Sequence, residues 1–167
     1  MGQSPEGDDC NNAGCGDPLL NGPTEFGFYS PTPVQWTTNG KKHCAAGDLL
    51  FCVRGSTTGR MNWANQSYAI GRGLAAIHHK KDSNFNWFIK AMVDNSLNDI
   101  LAAATGSTFP NVGKELLNGF HVIIPDEITL QKYGSQGSAI FRMITDNAKE
   151  IDSLYALKKT LLFKLTT

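Results

Sequence analysis

The stretch DLLFCVRGSTTGRMNWANQSYAIGRGLAAI, residues 48–77, sets the reading of the whole chain. Asp48 leads into an apolar run of strand length, LLFCV at 49–53. RGSTTGR at 54–60 is small, flexible and polar, with a cation at each end. MNWA at 61–64 and YAI at 68–70 read as further extended pieces, GRG at 71–73 interrupts them, and LAAI at 74–77 is apolar again. Short apolar runs broken by glycine and polar residues point to strands joined by turns. A strand pair presenting Arg, Ser and Thr on a loop suits contact with DNA. Arg grips phosphate or guanine, and Ser and Thr donate to either. Taken alone, such a loop is most simply a solvated hairpin tip, so the remaining sequence has to decide.

The chain has 167 residues, enough for one domain with a real core and an appendage. A hydrophobic share of 41% with 10% aromatics fits a folded protein. The polar, acidic start MGQSPEGDDCNNAGCGD is neither a membrane span nor a secretory signal, so a cytoplasmic protein without a membrane partner is expected. Fifteen basic residues balance fifteen acidic ones. That balance argues against a nonspecific electrostatic nucleic-acid binder. It leaves room for a module that reads bases locally while a partner supplies most phosphate contacts.

Cys10, Cys15, Cys44 and Cys52 are the cysteines. Cys52 sits in the apolar run and reads as a buried small hydrophobe. Cys10, Cys15 and His43-Cys44 could be assembled into a zinc site, but the Cys-x4-Cys spacing is loose and free thiols are expected instead.

Outward from the central stretch, residues 1–47 are rich in Gly, Pro and Asn. FGFY at 26–29 and VQWT at 34–37 read as short strands, and Asn39-Gly40 as a turn. On the other side, Ser83 reads as an N-cap. Phe85, Phe88, Ile89, Met92 and Val93 behind it form the apolar face of a helix. Asn95-Ser96 is expected to break that helix before Leu97, Ile100, Leu101 and Ala104 form a second one. TGSTFPN at 105–111 is a second polar loop, and FHVII at 120–124 reads as a strand ended by Pro125. From about Glu127 the chain is helical to its end. The helix carries an apolar stripe of Tyr133, Ile140, Ile144, Ile151, Leu154, Leu161 and Leu165, interrupted by Asn147 and Lys158. Gly134 and Gly137 are expected to weaken its first turns. Such a helix spans on the order of 58 Å and needs another helix to cover its stripe. The fold class is therefore α+β, with a domain at 1–125 and a long helix at 126–167.

The order of these pieces is recognisable. GQSP at 2–5, DLLFCVRGSTTG at 48–59, IGRGLAAI at 70–77, GSTFPNV at 106–112 and FHVIIPDEITLQ at 120–131, followed by a long amphipathic helix, resemble one target-recognition half of a type I restriction–modification specificity subunit. The resemblance implies a mixed α/β recognition domain around a twisted sheet, with a terminal helix that pairs as a coiled coil with that of a second half. It implies double-stranded DNA as ligand, each half reading one part of a split target. A methyltransferase subunit would carry S-adenosylmethionine and do the chemistry, and a restriction and translocase subunit can join. The specificity subunit itself holds no cofactor and is not the catalyst. Family members usually carry a strand-forming segment before GQSP, and a full subunit has two halves. A natural half-subunit or a piece of a longer one is therefore expected.

On this reading the DNA-contact candidates are Gln3, Ser4, Arg54, Ser56, Thr57, Thr58, Arg60, Arg72, Ser107, Thr108 and Asn111. Ile140, Ile144, Ile151, Leu154, Leu161 and Leu165 are the helix-pairing candidates. Pairing is expected with a second recognition half or a second copy. Two other classes compete. A β-rich carbohydrate or small-ligand domain with an oligomerising helix would use Trp36, Trp63 and Tyr68 to stack on sugars. An enzyme would need acid–base groups such as His78-His79, which beside Lys80-Lys81 look like a solvated strand end. No catalytic triad, metal-ligand cluster or phosphate loop appears in the sequence.

Overall fold

The run at 49–53 is buried on both faces, and that fixes the layers. A computed structural model of the chain describes residues 1–106 and 108–166. Among these, Leu49, Leu50, Phe51, Cys52 and Val53 are all 0% exposed. They form β5 (Leu49–Cys52), the middle strand of a three-stranded antiparallel sheet with β6 (Met61–Trp63) and β8 (Leu74–Ile77). Leu50 and Cys52 face one cluster, with Leu20, Cys44, Tyr68 and Ile70. Leu49, Phe51 and Val53 face another, with Ile89, Val93, Ile100 and Val112. A central strand needs no polar face, which is why its sequence is a continuous apolar run.

The first cluster packs against a five-stranded sheet in the order β1 (Cys10–Asn11), β3 (Gln35–Thr37), β2 (Asp17–Leu20), β7 (Tyr68–Ile70) and β4 (His43–Cys44). β2 and β7 run parallel, and the remaining neighbours are antiparallel. The second cluster packs against α1 (Asn86–Ala102). The result is three layers, with the small sheet between the large sheet and the helix.

Four local expectations are corrected. FGFY at 26–29 is a tight reversal, closed by Gly27 N donating to Ser30 O and Thr32 N to Glu25 O, and Phe28 stands 90% exposed. Apolar letters alone make no strand without a ladder partner. FHVII at 120–124 also lies outside any strand, with Phe120 packed on the core and Ile123 92% exposed. The cap is Asp82, not Ser83: its carboxylate accepts from Asn84 N at 2.9 Å and starts the 3-10 turn Ser83–Phe85 that runs into α1. Finally, Asn95-Ser96 does not break α1, because Val93, Leu97 and Ile100 on either side pack into one apolar layer. Tertiary packing overrides weak local propensity there.

A short helix α2 (Lys114–Gly119) leads back along α1 to α3 (Glu127–Thr166), a 40-residue helix about 60 Å long. Asp126 caps α3, accepting from both Thr129 N and its hydroxyl, and these bonds hold the Asp126 carboxyl below its ordinary range. Gly134 and Gly137 are contact points rather than weak ones. A Cβ on Gly134 would lie 3.0 Å from the Phe85 ring, and one on Gly137 would lie 2.8 Å from Trp87. Phe141 closes this junction in a tilted triangle with Trp63 and Trp87, centroids 4.5–5.5 Å apart. From Lys149 to Leu165 the described side chains are exposed.

Candidate nucleic-acid interface

One end of the domain collects the polar loops. It is formed where β2, β5 and β7 end and where β3, β6 and β8 begin. The 53–60 loop leaves β5 here. Cys52 N donates to Arg60 O at 2.8 Å, and Gly59 N donates to Cys52 O at 2.9 Å, which closes its base. Gly55 and Gly59 take φ of 88° and 91°, the left-handed region open to glycine. Inside the loop, the Thr58 hydroxyl is shared between Gly55 O at 2.8 Å and Pro110 O at 2.9 Å. Thr57 Oγ1 lies 3.6 Å from the buried Cys52 Sγ. The loop is therefore internally bonded rather than slack, a correction to its reading as flexible.

The second polar loop docks onto the first. Thr105 N and Asn111 N exchange hydrogen bonds with each other's carbonyls. Asn111 also bridges to Arg54, and Val112 N donates to Val53 O at 2.9 Å. Arg54, Ser56, Thr57, Thr58, Arg60, Thr108 and Asn111 thus share one composite surface. Ser107, between them, lies outside the described residues.

A third piece completes this end. Gln3 N donates to Ile70 O at 2.9 Å, and Arg72 N donates to the Ser4 hydroxyl oxygen at 3.2 Å. Gly-Arg-Gly has a steric cause: a Cβ on Gly71 or on Gly73 would come within 2.4 Å of Asn21. Val53 N donates to Gly73 O at 2.9 Å, which carries the β5–β8 pairing to the loops and sets Arg54 beside Arg72. Both clusters of candidates therefore lie on one face.

Arg54, Ser56, Arg60, Arg72, Gln3 and Thr108 are exposed, whereas Thr57, Thr58, Ser4 and Asn111 are half-buried. The ion pairs among the described residues are His43–Asp17, His78–Asp48, Lys90–Asp94 and Lys149–Asp146, so no carboxylate neutralises the three arginines. A surface of unpaired guanidinium groups, hydroxyls and amides can meet both phosphates and base edges. The sequence reading missed Asn21 and Gln35, which join this face through a 2.9 Å amide–amide bond. No motif marks them, because only pairing of β2 with β3 brings them together.

Features of the competing readings lie elsewhere. Tyr68 is fully buried and offers no stacking face for a sugar, while Trp63 packs at the junction with α3 and Trp36 is half-buried in β3. His79 is half-buried, not solvated: its Nδ1 accepts from Lys81 N and Asp82 N and so shapes the turn into α1. Burial pushes the Cys44 thiol up to about 11, and Cys15 is exposed. Among the described residues there is no group of three potential metal ligands, and no helix is long and apolar enough to cross a membrane.

Among helix-pairing candidates, Ile144 is half-buried and lines a cavity of about 410 Å³ with Trp63, Trp87 and Phe141. Ile140, Ile151, Leu154, Leu161 and Leu165 are exposed on α3.

No protein-family profile matches the chain. It is 30% identical over 167 residues to a protein of Methanocaldococcus jannaschii that carries the name of the MjaX type I restriction enzyme specificity subunit, all of this chain matching 39% of that one. A solved structure concerned with complex assembly and conformational transition of the type I R-M system contains a chain with the same fold. Its TM-score is 0.65 at 27% identity, over 92% of this chain and 40% of that one. The HsdS subunit from Thermoanaerobacter tengcongensis superposes with a TM-score of 0.53 at 27% identity, over 86% of this chain and 36% of that one. The chain thus spans about two fifths of the length of the relatives it matches. Over the full 167 residues its sequence, and with it the α+β fold that ends in a long helix, is similar to one part of a type I restriction–modification specificity subunit.

Proposed function

We propose that the chain reads one part of a split double-stranded DNA target, as one recognition half of a type I specificity subunit. The observation that carries this is the clasp between two loops distant in sequence, Thr58 to Pro110 and Val53 to Val112, at the end of the sheet where Arg54 lies beside Arg72 and Arg60 closes the base of the first loop. Exposed donors held on such a scaffold suit base readout. With fifteen charges of each sign the chain has no net positive charge, so affinity rests on local contacts and on partners.

The chain directs chemistry rather than performing it. A methyltransferase subunit, binding S-adenosylmethionine, supplies catalysis, and a restriction and translocase subunit joins for cleavage. The segment 1–125 is the reader and 126–167 the pairing arm. The exposed apolar face of the arm is covered by the helix of a second half or of a second copy. Burial of each Leu or Ile there contributes roughly 1.5–3 kcal/mol, so leaving the face in water is costly.

Methylome sequencing of the host with and without the gene tests the proposal. One split adenine-methylation motif should vanish on deletion and return on complementation. An unchanged methylome would count against it.

A further inference from the structure

The face just described contains a pair of side chains with no assigned role. Asn21 follows β2 and Gln35 opens β3, and the register Leu19↔Gln35 makes them diagonal neighbours across the ladder. Asn21 Nδ2 donates to Gln35 Oε1 at 2.9 Å. This internal bond leaves Asn21 Oδ1 as an acceptor and the Gln35 Nε2 group as a donor. Asn21 is exposed and Gln35 half-exposed, and no further bond to either free group is found among the described residues.

The pair is also held in place. Asn21 Oδ1 rests against the bare backbone of Gly71, where a Cβ would stand 2.4 Å away, and Asn21 O lies equally close to Gly73. Arg72, between those glycines, is exposed, and its backbone N–H is tied to Ser4. A solvated amide on a loop would lose freedom on binding, whereas this one is already fixed.

One donor beside one acceptor is the complement of the adenine major-groove edge, which offers the N7 acceptor and the N6 amino donor. Arg72 offers donors alone, which suit phosphate or guanine. We infer that Asn21 and Gln35 together form an adenine-reading site within the DNA target, flanked by Arg72. The inference rests on the DNA-reading function proposed above and adds residues and a base to it.

The variant Gln35→Glu is a clean test. It keeps the shape and still accepts from Asn21, but it replaces the outward donor with an acceptor. The full chain, assembled with its methyltransferase subunit, is used to select 30-bp duplexes from a pool with a randomised centre. The wild type should enrich a motif in which one adenine position relaxes by roughly tenfold or more in Gln35→Glu, and likewise in Asn21→Ala, with the other positions kept. A motif unchanged in both variants, or weakened evenly at all positions, overturns the inference while leaving the DNA-reading function standing. A wild type that enriches no motif fails that function, and this site with it.

Discussion

Thr58 donates its hydroxyl proton to Pro110 O at 2.9 Å across 52 residues of sequence, and this bond joins the Val112–Val53 and Arg54–Asn111 contacts in making two loops into one surface. The same proton is shared with Gly55 O, so one hydroxyl contributes both to the inner turn of the first loop and to the docking of the second. Thr58 is thereby a positioning residue, in contrast to the exposed Arg54 and Arg60.

Thr58→Val should therefore cost little fold stability, about 0.5–1.5 kcal/mol for one lost hydrogen bond. It should weaken DNA binding several-fold, whereas Thr58→Ser keeps both. Urea unfolding beside fluorescence anisotropy on a target duplex separates the two effects. Equal losses in Val and Ser variants would remove the clasp from the explanation.

Gly137→Ala tests the α3 junction. Helix propensity alone favours Ala over Gly by about 1 kcal/mol. The new methyl would meet Trp87 Cβ and Cγ at 2.8 Å, and overpacking of that kind costs about 1–3 kcal/mol. The net change should be destabilising, with a shift in the emission of Trp63 and Trp87, followed by thermal unfolding under fluorescence. A stabilised Gly137→Ala would show that α3 does not seat on α1 through this glycine.

Thiol reactivity reports the layering. Burial raises the Cys44 thiol from an ordinary 9.0 to about 11, so near pH 8 it holds about a hundredfold less thiolate than a free thiol. Cys15 is exposed and should react with a disulfide reagent first, while Cys44 and Cys52 should wait for unfolding. A raised folded value also fixes the sign of the pH effect. The contribution of the neutral Cys44 is fully present below the unfolded value and is lost as pH rises from about 9 through about 11. Rapid labelling of all four thiols in the native state would contradict the buried sheet interface.

How legible was this in the sequence? β5 was, because a strand buried on both faces must be apolar throughout, and 49–53 is. The two loops were visible as polar stretches, but their union was not, since nothing local connects Thr58 with Pro110. FHVII at 120–124 misled because its apolar letters match a strand while its ladder partner is decided elsewhere in the fold. Gly134 and Gly137 misled in the opposite way. Propensity treats a helical glycine as a weakness, and only the approach of Phe85 and Trp87 shows its use. Asn21 and Gln35 carried no signal, because their meaning arises from strand register.

The distal arm yields a prediction about assembly. Ile151, Leu154, Leu161 and Leu165 are exposed along α3, so the free chain should pair at tens of micromolar through an antiparallel helix contact with two-fold symmetry. Sedimentation should find a wild-type dimer and a monomeric Ile151→Asp, Leu154→Asp variant. A monomeric wild type would mean that another subunit covers the arm, and an unaffected variant dimer would place the contact elsewhere.

The most direct measurement is methylation of cognate and scrambled duplexes by the assembled complex carrying Arg54→Ala with Arg60→Ala. Each lost base contact costs about 1–3 kcal/mol, so cognate methylation should fall by at least about tenfold while the fold is kept, with the cognate preference reduced. Wild-type methylation of both duplexes by the doubly substituted chain would contradict the assignment of the 54–60 loop to DNA reading.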